Sequence, residues 1–202
     1  MSKGRLEAFS DGVLAILITI MVLELRIPEG PTWRALVPLV PILLTYLLSF
    51  VYLGIYWNNH HHLLQATERI NGRVLWANLH LLFWLSLTPF VTGWMGQNYR
   101  ALLPNAVYGA VQLCAALAYW ILHRQIIAAQ GPHSKLRAAL CHDIKGNISS
   151  AMYLAAIFLA FVSPWISEAI YVSVALMWLV PDPRIERNIQ TSSPERGSSD
   201  GG

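Results

Sequence analysis

Glu7, Ser10 and Asp11 are polar residues at the start of the first apolar segment, and they are the first candidates for chemistry. The run that follows, 13–23, is apolar except for Thr19. A charged side chain inside a bilayer is costly, so it needs a partner or a water-filled neighbour. The pattern therefore indicates a functional segment; the alternative is an anchor helix with Asp11 at the lipid headgroups.

Asp11 is expected to find its main partner on another helix. Arg5 lies six residues earlier, about 9 Å along the axis and about 600° in rotation, so the two share no helix face. The third apolar segment enters from the same side and places Trp76 and Asn78, both N–H donors, at a matching depth. We predict a network of Ser10, Asp11, Trp76 and Asn78; solvation of Asp11 by water is the alternative.

Histidines are the other candidate ligands, but their spacing does not favour a metal or a haem. His60, His61 and His62 are adjacent and point in three directions on a helix, so they cannot share one ion. A polar interfacial cap with one histidine inside the bundle fits ligand geometry better. A haem at His80 would need a second histidine at the same depth, and the others lie nearer one end. We predict no cofactor and no metal site.

Catalytic and filter motifs are missing from the sequence. It contains no GxSxG, HExxH or GxxxxGK motif and no TVGYG-type carbonyl filter. Apart from the C-terminal tail, no soluble segment could hold an active site. We predict that the chain is not an enzyme and has no catalytic residues.

Composition indicates that the solvent is a bilayer. The chain is 55% hydrophobic and 12% charged, about half the charged fraction of a soluble domain. Eight tryptophans and eight tyrosines suit interfacial belts. The net charge of +3 is too small and scattered to predict nucleic acid as a partner. Cys114 and Cys141 are expected to be free thiols, and no cleavable signal peptide is evident.

Six apolar segments predict an all-α membrane protein with six transmembrane helices. The predicted spans are 6–27, 33–59, 70–95, 104–128, 144–163 and 164–180. The last two should pack as an antiparallel hairpin because only a few residues join them. Residues 1–181 form the predicted membrane domain, and the polar, Ser/Gly-rich segment 182–202 is a predicted disordered tail.

The distribution of basic residues predicts the orientation. If the N-terminus is cytoplasmic, only Arg26, Arg34 and Arg100 of the fourteen Lys and Arg lie outside. Short cytoplasmic loops carry the excess of basic residues, so N-in and C-in is favoured. This also supports an even number of spans.

Several short motifs resemble one family of membrane proteins. Residues 5–11 read RLEAFSD and match RxxxFSD, the signature of the transmembrane protein 175 family of potassium channels. The segments 57–61 (WNNHH), 75–79 (LWANL) and 86–90 (SLTPF) extend the resemblance, whereas the last three spans match only as hydrophobic segments. The signature contains Arg5, Phe9, Ser10 and Asp11.

The resemblance implies a potassium-preferring cation channel of the prokaryotic plasma membrane. A chain with one six-helix repeat implies a homotetramer, and four copies around an axis can enclose a pore that one helix cannot. It also implies that the first helix lines the pore, with the narrowest ring at Ile16. The same face continues through Ile20 and Leu23, and Thr19 offers a hydroxyl. Packing against a core is the alternative interpretation of this stripe.

The opposite side of the first helix also carries apolar residues, which serve as a comparison for the Ile16 face. At 100° per residue, Leu14, Ile18 and Val22 lie largely away from Ile16, so only one of these faces can meet an axis.

The residues alone leave two other protein classes open: a proton-coupled transporter that uses Asp11 and histidines as a relay, and a haem-binding redox protein. A haem spectrum and single-channel recording distinguish these classes.

Overall fold

The computed structural model describes residues 2–130 and 144–179. The described residues contain α-helices and no strands, which confirms the all-α class for this part of the chain. The predicted tail, 182–202, lies outside it. The helices are α1 (Lys3–Met21), α2 (Val40–Gln65), α3 (Gly72–Ser86), α4 (Thr88–Gln97), α5 (Leu102–Gln130), α6 (Ile144–Ala160) and α7 (Pro164–Leu179).

Helices occur at all six predicted positions, but they differ in length. Within the described part of the chain, four segments are long and apolar enough to cross a membrane: Lys3–Glu24, Trp33–Gln65, Gly72–Gln97 and Leu102–Gln130. The helices α6 and α7 are apolar but have only 17 and 16 residues. Six crossings, and the orientation that they imply, therefore stay a prediction.

The third predicted span is interrupted at Leu87, between α3 and α4. Pro89 lies in the first turn of α4, where its missing N–H is tolerated. In a continuous helix its ring would clash with the carbonyl of Leu85. The Leu87 N–H bonds instead to the carbonyl of Trp84 at 3.2 Å, so the chain bends here.

The first two spans end at different residues from those predicted. The helix α1 tightens into a 3₁₀ turn at Val22–Glu24 and does not reach Ile27. Val22 is 47% exposed; at 100° per residue it lies about 120° from Ile16, at the edge of the exposed side rather than opposite it. The helix α2 runs six residues past Asn59 and includes the three histidines.

The helices pack around α5, which contacts α3, α4, α6 and α7. The helix α1 lies at the margin against α2, α3 and α4, and α6 packs on α7 as the hairpin prediction requires. The helices α2 and α4 approach each other closely at Gly96, where an added Cβ would lie 2.9 Å from Ile42 Cα. One side of α1 therefore has no partner within the described protomer.

Buried tyrosines join α7 to α2 and α5. The Tyr52 hydroxyl donates to the Tyr171 carbonyl at 2.6 Å, and the Tyr171 hydroxyl donates to the Asn105 carbonyl at 2.9 Å. Tyr108 and Ser49 share a hydrogen bond of 3.1 Å. Hydrogen-bonded phenols satisfy polar groups in a core away from α1, so the margin where α1 lies is held by a different set of contacts.

Candidate functional site: the exposed face of α1 and its anchor

The helix α1 has one buried and one exposed side. The buried side is formed at a helical spacing by Leu6, Ser10, Leu14, Leu17 and Met21, each at most 7% exposed. These residues face α2, α3 and α4, and spacings of three or four residues place them on one face. The protomer core therefore fixes the rotation of α1 about its axis.

The opposite side of α1 is apolar and exposed. Ile16 is 57%, Ile20 42% and Leu23 78% exposed. Thr19 is exposed on the same side, and its hydroxyl donates to the Ile16 carbonyl at 2.9 Å. The proton of Thr19 is thus used within the helix, while its oxygen lone pairs face outward. Phe9, 49% exposed, begins this side one turn before Gly12.

A buried hydrogen-bond chain ties the N-terminal end of α1 to α2 and α3. His60 Nε2 and Asn78 Oδ1 lie 2.7 Å apart, and Asn78 Nδ2 donates to Ser10 Oγ at 2.9 Å. Ser10 in turn donates to the carbonyl of Leu6 at 2.9 Å. The Asn78 side chain therefore donates from its nitrogen to Ser10 on α1 and accepts at its oxygen from His60 on α2. His60 Nε2 must then carry the proton.

Asp11 binds a different tryptophan from the one predicted. Trp57 Nε1 on α2 donates to Asp11 Oδ1 at 3.0 Å. Trp76 is 75% exposed and lies on the outer surface of α3, so the predicted pairing of Asp11 with Trp76 is wrong within the described protomer. Ser10 and Asn78, two members of the predicted network, are hydrogen-bonded to each other. Rotation of α3 explains both results, because the residues 76 and 78 are about 200° apart.

Three further contacts at this end were missed by sequence reasoning. Glu7 and His61 approach to 3.1 Å, and the His61 ring stacks on Trp57 with centroids 6.0 Å apart. Lys3 Nζ also donates to the Gln65 carbonyl at 2.7 Å. The run of histidines after Trp57 was a signal for this anchor, since side chains on successive turns of α2 reach α1.

Among residues 2–130 and 144–179, Arg5 has no side-chain partner that explains its place in the signature. It is exposed, and its N–H bonds only to the carbonyl of Ser2 at 3.2 Å. Within the described residues, no group of three His, Cys, Asp or Glu could hold a metal ion. The contacts from α2 and α3 make this end of the bundle an anchor of α1.

Replacing Asp11 by alanine should lower stability modestly. The substitution leaves the indole N–H of Trp57 without its acceptor, and Trp57 is 45% exposed. Water can replace part of the bond, so we expect a loss of about 1 kcal/mol. Thermal unfolding in detergent measures it, with Asp11→Asn, which keeps an acceptor, as the control. A fully stable Asp11→Ala variant with reversed cation selectivity would instead place Asp11 in an ion path.

Comparison with known proteins decides the family. The family model of the endosomal/lysosomal potassium channel TMEM175 matches residues 5–89. A potassium channel of Chryseobacterium sp. (strain P1-3) is 53% identical over 190 residues, which cover 94% of this chain and 99% of that protein. The chain belongs to the TMEM175 family. A potassium channel of Streptomyces collinus is 31% identical over 187 residues, covering 87% and 91%.

A solved structure of the TMEM175 family has the same fold. The crystal structure of a lysosomal potassium-selective channel TMEM175 homolog from Chamaesiphon minutus matches with a TM-score of 0.77 and 29% identity. The match covers 88% of this chain and 96% of that chain. Membership confirms the resemblance carried by RxxxFSD, makes the chain a multi-pass membrane protein of an ion-channel family, and points away from an enzyme.

Proposed function

We propose that the chain forms a potassium-preferring cation channel in which four copies of α1 surround the pore. The observation that carries the proposal is the two-sided character of α1 in a member of a potassium-channel family. Its buried side packs against the protomer core, so its exposed side must face a neighbouring copy, lipid or a pore on a symmetry axis. When four copies of α1 surround a closed symmetry axis, each copy turns this exposed side towards the pore.

The narrowest part of the proposed pore is a series of apolar rings at Ile16, Ile20 and Leu23. These side chains lie on the exposed side, and a narrow apolar passage excludes ions by dewetting. The residues Lys3–Met21 are helical throughout, so their carbonyls are largely used in the helix and do not form a carbonyl filter. The potassium preference therefore comes from narrowing at Ile16, with the Thr19 oxygen the nearest side-chain acceptor.

The anchor at the N-terminal end positions this lining. The signature residues Phe9, Ser10 and Asp11 lie within three turns of Ile16, and Ser10 is bonded to Asn78. A helix held rigidly at one end keeps its side chains at a fixed rotation. We assign Ser10 and Asn78 the role of positioning residues. The exposed Arg5 and Trp76 of the predicted network face away from the protomer and are available to a neighbouring copy or to lipid.

The proposed membrane arrangement follows the basic residues. Both termini are cytoplasmic, the channel domain is 1–181, the tail is 182–202, and the channel lies in the plasma membrane of a prokaryote. The anchor of α1 is then at the cytoplasmic end of the pore, and Leu23 is at the outer end.

Particle mass tests the assembly. We expect the purified protein in mild detergent to contain four copies per particle, because one exposed side of α1 cannot enclose a pore. Light scattering with correction for bound detergent measures the number of copies. Conducting particles of one or two copies would contradict the four-fold proposal.

Recording under a potassium–sodium gradient tests the activity. We expect unitary current steps and a reversal potential displaced towards that of potassium. The rival is a proton-coupled transporter, for which the chain of His60, Asn78 and Ser10 beside Asp11 is the supporting observation. Slow electroneutral flux without unitary steps would favour that transporter and contradict the channel.

A further inference from the structure

An open groove lies on the outer surface between α3 and α5. It has a volume of about 760 Å³ and is lined by Arg73, Trp76 and His80 on α3 and by Ile121 and Gln125 on α5. None of its lining residues is acidic. Neither the anchor nor the proposed pore uses these side chains.

The polar groups of the groove are mainly hydrogen-bond donors. Trp84 Nε1 donates to His80 Nε2 at 3.0 Å, so the neutral His80 ring carries its proton on Nδ1. Arg73 has only donors, and the indole of Trp76 has one. Among the described residues, Arg73 forms no salt bridge. The groove thus presents one positive charge and several N–H groups, which complement an anion that only accepts.

The position of the groove along α3 matches the depth of a lipid headgroup. Arg73 is in the first turn of the candidate span Gly72–Gln97, and Trp76 is 75% exposed one turn later. Arginine and tryptophan at the end of a span are typical of the membrane interface. Deeper on the same helix, Leu79 and Phe83 are 43% and 55% exposed and apolar, as a surface in contact with acyl chains should be.

We propose that this groove binds the headgroup of an anionic phospholipid. Arg73 binds the phosphate, the Trp76 ring lies at the glycerol level, and His80 Nδ1–H reaches an ester carbonyl. Seven residues separate Arg73 from His80, about 10 Å along the axis, so one lipid meets donors at two depths. Basic pockets between helices at the cytoplasmic end of a bundle commonly bind such headgroups. The inference requires a bilayer but not a pore along α1.

Lipid retention measured by native mass spectrometry tests the proposal. The purified protein is exchanged into detergent with phosphatidylglycerol and phosphatidylcholine of identical acyl chains. We expect preferential retention of phosphatidylglycerol, and about five-fold weaker retention in Arg73→Gln, which is the contribution of one basic residue near a membrane surface. The matched control is Arg124→Gln, because Arg124 lies outside the groove, 4.3 Å from the centre of the Trp120 ring.

In the retention experiment, two results would overturn the lipid site. One is equal retention of both lipids, and the other is unchanged retention in Arg73→Gln. A photo-crosslinking residue introduced at position 76 identifies the occupant directly, and we expect protein–lipid adducts. Protein–protein adducts would show that a second copy covers the groove. Because the measurements record lipid binding rather than current, failure here leaves the proposed channel activity standing.

Discussion

Ile16→Asn should raise the potassium current about tenfold and reduce the discrimination between potassium and sodium. Ile16 is 57% exposed on the side of α1 away from the protomer core, so the substitution leaves the core packing intact. Four amides in place of four butyl groups hold water in the narrowest ring and lower the barrier that dewetting imposes. A barrier lowered by about 1.4 kcal/mol gives a tenfold rate.

The same substitution elsewhere controls for general effects on the membrane protein. Ile148 on α6 is 44% exposed, and Ile148→Asn should leave current and reversal potential unchanged. Both are measured for matched amounts of protein in planar bilayers with potassium on one side and sodium on the other. An Ile16→Asn variant that folds but conducts and discriminates as the parent protein does would remove Ile16 from the constriction.

Asn78→Ala should be the most destabilising change in the anchor. Its amide joins His60 on α2 to Ser10 on α1 at 2.7 and 2.9 Å, and all three residues are at most 1% exposed. The substitution leaves His60 Nε2–H without its acceptor, at about 1–3 kcal/mol, and removes one hydrogen bond to Ser10, at about 1 kcal/mol, although Ser10 keeps its own bond to the Leu6 carbonyl. We expect a loss of about 2–4 kcal/mol, measured as a lower midpoint of thermal unfolding, together with fewer four-copy particles.

Asn58→Ala provides the matched control, since Asn58 is exposed on α2 two residues from His60. It should unfold within about 0.5 kcal/mol of the parent protein, as surface substitutions usually do. If Asn78→Ala and Asn58→Ala were equally stable, the buried chain would not anchor α1.

The sequence was sufficient to place Ser10 and Asn78 in one predicted network, but not to say which of its members pair. Both lie a similar distance inside spans that enter from the same side, and depth follows from counting residues along a helix. It was not sufficient to choose between Trp57 and Trp76 as the donor to Asp11. That choice depends on the rotation of each helix about its own axis, which tertiary packing sets and a nearly uniformly apolar span does not encode.

The helix boundaries, too, could be predicted only in part from the sequence. Apolar content located the spans, but the break at Leu87 depends on whether the bundle accommodates a bend before Pro89. The extension of α2 through His60 depends on a buried partner, Asn78, that is distant in sequence. Local propensity is a weak guide where a distant contact satisfies a polar residue.

Single cysteines along α1 test most directly whether its exposed side faces an ion path. They are placed one at a time at Ile16, Ile20 and Leu23, and for comparison at the buried positions Leu14, Leu17 and Met21. The background lacks Cys114 and Cys141, and the probe is a small thiol-reactive cation applied during recording. The proposed pore predicts that the current changes at the three exposed positions and is unaffected at the three buried ones. Changes at the buried positions, or none on either side while the current persists, would contradict a pore lined by α1.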